Sequence, residues 1–223
     1  MSNILRVIWA LPRSIRFNFA HLPLRQAIHL PILLAGNVRI RTCKGRIILQ
    51  DEHPTRASVR IGFHRVHVID EWSAHTILSL DKGSVWTIKG TTYIGQGSKI
   101  VLRSNAQLST GNNFFVSGRS DIVCYQSIMY GDDVQYSWDC LTVDSDSHQV
   151  FDQDGCHTNP DQPIVVGNKV WIGCRCTILK GSQIANNTVV GSGSLICKKH
   201  TEGDCVLAGS PAMKVKGISS FSL

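Results

Sequence analysis

The sequence predicts an all-β protein built as a solenoid of short parallel strands. An aliphatic side chain recurs at every sixth position late in the chain, at Val166, Ile172, Ile178, Ile184, Val190 and Ile196. A small residue follows most of them, at Gly167, Gly173, Ala185 and Gly191. A period of six matches neither the alternation of an ordinary strand nor the three- and four-residue spacing of a helix. It is typical of a coil in which each unit forms one flat side and three sides make one turn.

The same period occurs earlier in the chain. Ile88, Ile94 and Ile100 fall six apart, and the register returns with Ile122, Ile128, Val134 and Cys140. Asn and Gly residues between these segments suit the left-handed backbone conformation of tight corners. The coil is therefore predicted to be regular until about residue 140, to pause, and to resume at residue 166.

Motifs around the repeat resemble one enzyme family. Val-Trp-Ile-Gly at residues 170–173 resembles the N-V-W-I-G box of the hexapeptide-repeat acyltransferases. Ala-Gly-Ser-Pro-Ala at residues 208–212, followed by Lys214 and Lys216, resembles the A-G-x-P-A-K exit of that family. The resemblance covers about residues 85–217 and implies a left-handed parallel β-helix. We therefore expect a partly helical basic cap over residues 1–35, then the β-helix domain over residues 36–223, with a loop extruded at about 144–163.

The pause in the repeat opens with two carboxylates and a histidine, Asp144, Asp146 and His148. Imidazole titrates near neutral pH and can take a proton from a hydroxyl group, and a neighbouring carboxylate can orient the ring. Residues 137–148 resemble the W-N-V-T-I-x-D-T/S-D-x-H run of sugar and exopolysaccharide O-acetyltransferases. This resemblance implies that His148 is the catalytic base and that Asp146 and Asp144 orient it or bind the acceptor. We expect His157, in the same loop, to be a bystander.

The resemblance also implies direct transfer of an acetyl group from acetyl-coenzyme A, without a metal, in a homotrimer whose sites lie between subunits. The residues expected near the thiol and pantetheine of the coenzyme are Trp171, Gly173, Cys174, Ser192, Gly193 and Cys197. Lys198, Lys214 and Lys216 are candidates for its phosphates, or else plain solvated charges.

The predicted function is O-acetylation of a sugar hydroxyl, in a cell-surface polysaccharide or its precursor. Two other enzymatic functions stay open. One is an N-acyltransferase of a nucleotide-linked amino sugar. The other is a metal-dependent, carbonic-anhydrase-like β-helix, in which His64, His67 and His75 would bind the metal.

The charge of the first 50 residues is one-sided. The net charge of the chain is +7, yet this segment has no Asp or Glu and eight basic residues: Arg6, Arg13, Arg16, Arg25, Arg39, Arg41, Lys44 and Arg46. It predicts a cap over the open end of the solenoid, a surface for an anionic membrane, or both. The charge alone also fits a polyanionic glycan or a phosphorylated carrier. Nucleic acid is not expected, because no recognised motif accompanies the charge.

The cysteines and the hydropathy pattern bear on location. There are eight cysteines, the N-terminus lacks the layout of a signal peptide, and no apolar run approaches about twenty residues. These features predict reduced thiols and a cytoplasmic protein, at the inner face of the membrane where the basic segment binds lipid.

Overall fold

The chain forms a left-handed parallel β-helix with three flat sides, as the repeat and its resemblance predicted. The computed structural model describes residues 3–64, 66–67 and 74–222, with side chains from residue 7 onward. Two helices precede the coil, α1 (Asn3–His21) and α2 (Leu24–Ala27). Strands are numbered along the chain.

Each side of the coil is one sheet, here given over the described residues. The first side contains, in spatial order, β1 (Ile32–Leu34), β4 (Val59–Ile61), β7 (Thr92–Ile94), β10 (Phe114–Gly118), β13 (Val134–Trp138), β16 (Val170–Ile172), β19 (Thr188–Val190), β22 (Cys205–Gly209) and β23 (Ala212–Gly217). The second contains β2 (Val38–Cys43), β5 (Thr76–Leu80), β8 (Lys99–Leu102), β11 (Asp121–Cys124), β14 (Leu141–Val143), β17 (Thr177–Leu179) and β20 (Leu195–Ile196). The third contains β3 (Arg46–Leu49), β6 (Val85–Ile88), β9 (Gln107–Thr110), β12 (Ser127–Tyr130), β15 (Ile164–Val166), β18 (Gln183–Ile184) and β21 (Lys199–His200). The last pair, β22 and β23, is antiparallel.

The core is a stack of the repeat positions. In-register parallel pairing places Ile172 against Val190 and Ile178 against Ile196, and all six aliphatics of the late repeat are buried. Removing this apolar surface from water is the main stabilising contribution, at about 25 cal/mol per Å². The prediction that the period of six marks inward-facing positions is confirmed.

One edge of the coil is held by a ladder of side-chain oxygens. Asn112 Oδ1 accepts from the backbone N–H of Thr91, and the pattern repeats from coil to coil through Asp132, Asn168 and Asn186 with N···O distances of 2.7–3.0 Å. Each short side chain thus satisfies a backbone donor that a tight corner leaves without a strand partner.

Helices α1 and α2 cover the first coil. Asn18 accepts from the N–H of Ile32 (3.0 Å) and donates to its carbonyl (2.7 Å), which replaces the partner strand that β1 lacks on this side. The Ser14 hydroxyl accepts from the N–H of Leu34, and Gln26 donates to the carbonyl of Leu49 in β3. Neither described helix is long and apolar enough to cross a bilayer.

Candidate active site

The break in the coil is an ordered hairpin rather than an irregular loop. Strand β14 ends at Val143 and β15 begins at Ile164, so residues 144–163 leave the coil. Within them Phe151 and His157 form an antiparallel bridge, and the N–H of Thr158 donates to the carbonyl of Val150 at 2.8 Å. The tip is closed by Asp152, whose carboxylate accepts from two backbone N–H groups.

Asp144 faces the interior of the coil. It is fully buried, and its carboxylate accepts from the backbone N–H groups of Tyr125, Gln126 and Ser127 at 2.6, 2.8 and 2.7 Å. The Cys124 thiol also donates to it, at 3.6 Å. Since both oxygens are used by the preceding corner, Asp144 fixes that corner; its side chain points away from the exposed hairpin that carries His148.

Asp146 lies outside the coil and ties the hairpin to the next turn. Its carboxylate forms an ion pair with Lys180 and accepts from the side-chain amide of Asn159 at 2.8 Å. The hydrogen bond from Lys180 and then that from Asn159 hold the pKa of the Asp146 carboxyl below its usual value. Lys180 also donates to the carbonyl of Asn159 at 2.8 Å, so Asp146, Lys180 and Asn159 form one cluster.

Asn159 holds the backbone on both sides of His148. Its amide nitrogen donates to the His148 carbonyl at 2.9 Å, and its amide oxygen accepts from the N–H of Val150 at 2.6 Å. Asn159 was not predicted from the sequence. Its role depends on how the hairpin folds back, and a lone Asn in a polar loop gives no signal of that.

The His148 side chain opens onto a cleft of about 260 Å³. Tyr125, Ser147 and His157 also line it. Ser147 has a left-handed backbone (φ 62°), and its hydroxyl donates to the Tyr125 hydroxyl at 2.7 Å. His148 is exposed, so its imidazole can meet a bound acceptor. His157, expected to be a bystander, shares the cleft.

The residues expected to meet the thiol end of the coenzyme lie on a different edge of the coil. Gly173 and Cys174 follow β16, and Ser192 and Gly193 follow β19, so all four sit between the first and second sides. The hairpin of His148 leaves between the second and third sides. Trp171 is 42% exposed on the first side, where its indole N–H donates to Ser137. One subunit therefore does not bring these residues to His148.

The two glycines of this group differ. A Cβ on Gly173 would lie 2.7 Å from the backbone nitrogen of Ser192 and 2.9 Å from the carbonyl oxygen of Val190, so the next coil requires glycine there. Gly193 has open space around it and a left-handed backbone (φ 73°). At Gly173 the next coil already occupies the space where a coenzyme was expected to approach closely. The space around Gly193 is open to a coenzyme.

The expected phosphate-binding lysines gather near the C-terminal end. Cys197 and Lys198 follow β20 and are exposed, on the same edge as the His148 hairpin. Lys198 and Lys214 line a cleft of about 300 Å³. Lys214 pairs with Glu202 at 3.0 Å, and this hydrogen bond raises the pKa of Lys214. Lys216 is exposed on β23, opposite Val206.

The histidines considered for a metal have other surroundings. The His64 ring packs edge-on against Phe115 with centroids 4.8 Å apart, and burial lowers its pKa. His75 Nε2 lies 2.7 Å from the Arg39 guanidinium, and His67 is exposed. Within the described residues no group of three His, Cys, Asp or Glu side chains is placed to hold a metal ion. All eight cysteines are free thiols.

Comparison with known proteins agrees with the repeat. Residues 163–198 match the family model described as bacterial transferase hexapeptide (six repeats). The chain thus carries a hexapeptide repeat over these residues. It is 28% identical over 135 residues to a galactoside O-acetyltransferase of Escherichia coli (strain K12), a match that covers 59% of this chain and 61% of that relative. The matched region is thus less than two thirds of the relative's length.

One further relative and one solved structure are also named as acetyltransferases. A putative lipopolysaccharide biosynthesis O-acetyl transferase, WbbJ, of Escherichia coli (strain K12) is 28% identical over an alignment of 146 residues, and the match covers 52% of this chain and 74% of that protein. Among solved structures, the polySia specific acetyltransferase NeuO superposes with a TM-score of 0.51 at 19% identity, covering 83% of this chain and 72% of NeuO. At that identity the superposition shows a common fold.

Proposed function

We propose that this hexapeptide-repeat protein is an acetyl-coenzyme-A-dependent O-acetyltransferase whose acceptor is a sugar hydroxyl of a cell-surface polysaccharide or its precursor. The observation that carries the proposal is the placement of His148, exposed in a cleft at the one long break of the late repeat with the backbone on both sides held by Asn159. The names of the O-acetyltransferase relatives support the reaction class.

The proposed reaction is a single transfer. The neutral His148 imidazole takes the proton of an acceptor hydroxyl, and the oxygen attacks the thioester carbonyl carbon. The tetrahedral oxyanion is stabilised by backbone N–H donors, then the carbon–sulfur bond breaks. The leaving thiolate takes the proton from the imidazolium, which restores neutral His148. Asp146 acts indirectly, because its partners Lys180 and Asn159 hold the hairpin.

The proposed assembly is a homotrimer in the cytoplasm, with each site built from two subunits. The support for it is that His148 lies on one edge of the coil, whereas Ser192 and Gly193 of the same chain lie on another edge. A neighbouring subunit would supply the edge of Ser192 and Gly193 to the coenzyme groove. Lys198, on the His148 edge, and Lys214 would bind the phosphates. Lys214 must then exchange Glu202 for a phosphate.

The first test is release of free coenzyme A thiol from acetyl-coenzyme A in the presence of a panel of sugars and oligosaccharides. His148→Ala is expected to lower kcat by about 10²–10⁴-fold, the usual contribution of a general base. His157→Ala is the matched control from the same cleft and is expected to keep most of kcat. Full activity of His148→Ala would refute the mechanism, and dependence on His157 instead would reassign the base.

A second test addresses the shared site. His148→Ala and Ser192→Trp subunits are each expected to be inactive and, when co-expressed in equal amounts, to recover activity in about one quarter of all sites, since each site takes one edge from each of two neighbouring subunits. No recovery in confirmed mixed trimers would place both edges of a site within one chain.

An alkali-labile ester product distinguishes O-transfer from the N-acyltransferase alternative, which gives a stable amide.

A further inference from the structure

Helix α1 buries two polar side chains and exposes several large apolar ones, although Ala10 and Phe17 also face the core. Ser14 and Asn18 are buried, where they bind the backbone of β1. Trp9 is 76% exposed, and Ile8 and Phe19 are about half exposed, at 53% and 50%. A helix on the surface of a water-soluble domain normally does the reverse. The need to bind the open strand edge explains the buried polar residues, but it does not explain the exposed apolar ones.

The exposed apolar residues form one surface. Ile8, Ile15 and Phe19 are seven and four residues apart, which places them along one stripe of the helix, with Trp9 beside it. We call Ile8, Trp9, Ile15 and Phe19 the outer face of α1. Large apolar side chains grouped in this way mark an interaction surface.

Cations border the outer face. Arg13 and Arg16 lie on α1, and with His21 and Ile40 they line a cleft of about 340 Å³ beside the helix. In the part of the chain that the structure describes, neither arginine forms an ion pair. The first 50 residues contain no carboxylate side chain, so nothing in this segment neutralises them.

We propose that the outer face of α1 is a docking surface for an anionic lipid bilayer. Its apolar side chains would enter the boundary between headgroups and acyl chains, while Arg13 and Arg16 would bind lipid phosphates in the cleft beside the helix. A second copy of the chain is a poorer occupant, because two such faces would bring arginines of like charge together with no carboxylate of the segment to pair with them. The proposal depends on α1 and is independent of the acetyl-transfer reaction.

The experiment is sedimentation of the full-length protein with vesicles of phosphatidylcholine alone and with vesicles that also contain phosphatidylglycerol. We expect binding to the anionic vesicles that weakens as salt is raised. Arg13→Gln/Arg16→Gln is expected to lower the partition coefficient about fivefold for each arginine. Trp9→Ser/Phe19→Ser is expected to lower it at least tenfold. Both pairs change side chains outside the core, so circular dichroism should match that of the wild-type protein.

The matched control is Arg175→Gln/Lys199→Gln, which removes the same charge from exposed residues farther along the coil and is expected to bind as the wild type does. Equal binding by the wild type and both α1 variants would overturn the proposal, as would failure of the wild type to bind anionic vesicles. A change of oligomeric state in Trp9→Ser/Phe19→Ser, measured by light scattering without lipid, would also overturn it and assign the face to protein association.

Discussion

Replacing Asp144 by asparagine tests whether Asp144 and Asp146, the two carboxylates that precede His148, have different roles. The fully buried Asp144 carboxylate receives three backbone N–H groups, from Tyr125 on one oxygen and from Gln126 and Ser127 on the other. An asparagine has one carbonyl oxygen. Whichever way the amide turns, its NH₂ group faces at least one of these N–H donors.

The magnitude follows from those contacts. In the better orientation the amide oxygen keeps the hydrogen bonds from Gln126 and Ser127, but they lose their charge, at about 1 kcal/mol each. The N–H of Tyr125 then faces another donor and stays unsatisfied in the interior, at about 1–3 kcal/mol. We expect Asp144→Asn to lower the free energy of unfolding by about 4 kcal/mol.

The assay is urea denaturation followed by circular dichroism, with Asp146→Asn as the control. Asp146 is on the exposed side of the hairpin, so its substitution is expected to leave the unfolding free energy close to that of the wild type and to act on kcat instead. Wild-type stability of Asp144→Asn, or a loss of kcat without a loss of stability, would refute the assignment of Asp144 to the corner.

Three other outcomes are expected. Gly173→Ala should destabilise the coil by about 1–3 kcal/mol, because the methyl group meets the backbone of the next coil, whereas Gly36→Ala, with open space around it, should be neutral in the same melt. Asn159→Ala should have a larger effect on kcat than on the free energy of unfolding. Partial recovery of kcat in Asn159→Gln would contradict a positioning role that requires the short amide. Burial lowers the pKa of His21 and His200 from 6.5. As the pH falls, these histidines take up protons more readily in the unfolded chain than in the folded protein. The stability present above about pH 6.5 should therefore decline below that pH, as thermal melts across pH 7 to 5 would show.

The period of six was enough to predict the coil because it records a requirement repeated at every turn. In the late repeat each inward position is aliphatic or small, so that the next coil stacks on it, and the registers of Ile172 with Val190 and Ile178 with Ile196 follow directly. The same local rule places Asn at corners such as Asn187, whose φ is 50°.

The candidate site was predictable only in part. Asp144 and Asp146 are chemically alike and two residues apart, and both were predicted to orient His148 or to bind the acceptor. Strand alternation does not separate them, because residues two apart in a strand share a face. Thr142 and Asp144 are both buried, and Asp146 differs because the chain leaves the coil after β14 ends at Val143. Asn159 and Lys180 carry no signal in the sequence. They come to Asp146 only through the closure of the hairpin, which is set by contacts across 13 and 34 residues.

The side chains that end the coil also limit the size of the molecule. A stack of parallel strands has no intrinsic length, because every exposed edge can template the next strand, from the same chain or from another. Here Ser14, Asn18 and Gln26 occupy the backbone groups at the first coil, and the reversed strand β23 covers β22 at the other end. Loss of the first set would leave a templating edge open to growth into fibres. A few terminating contacts thus keep a repetitive sequence finite.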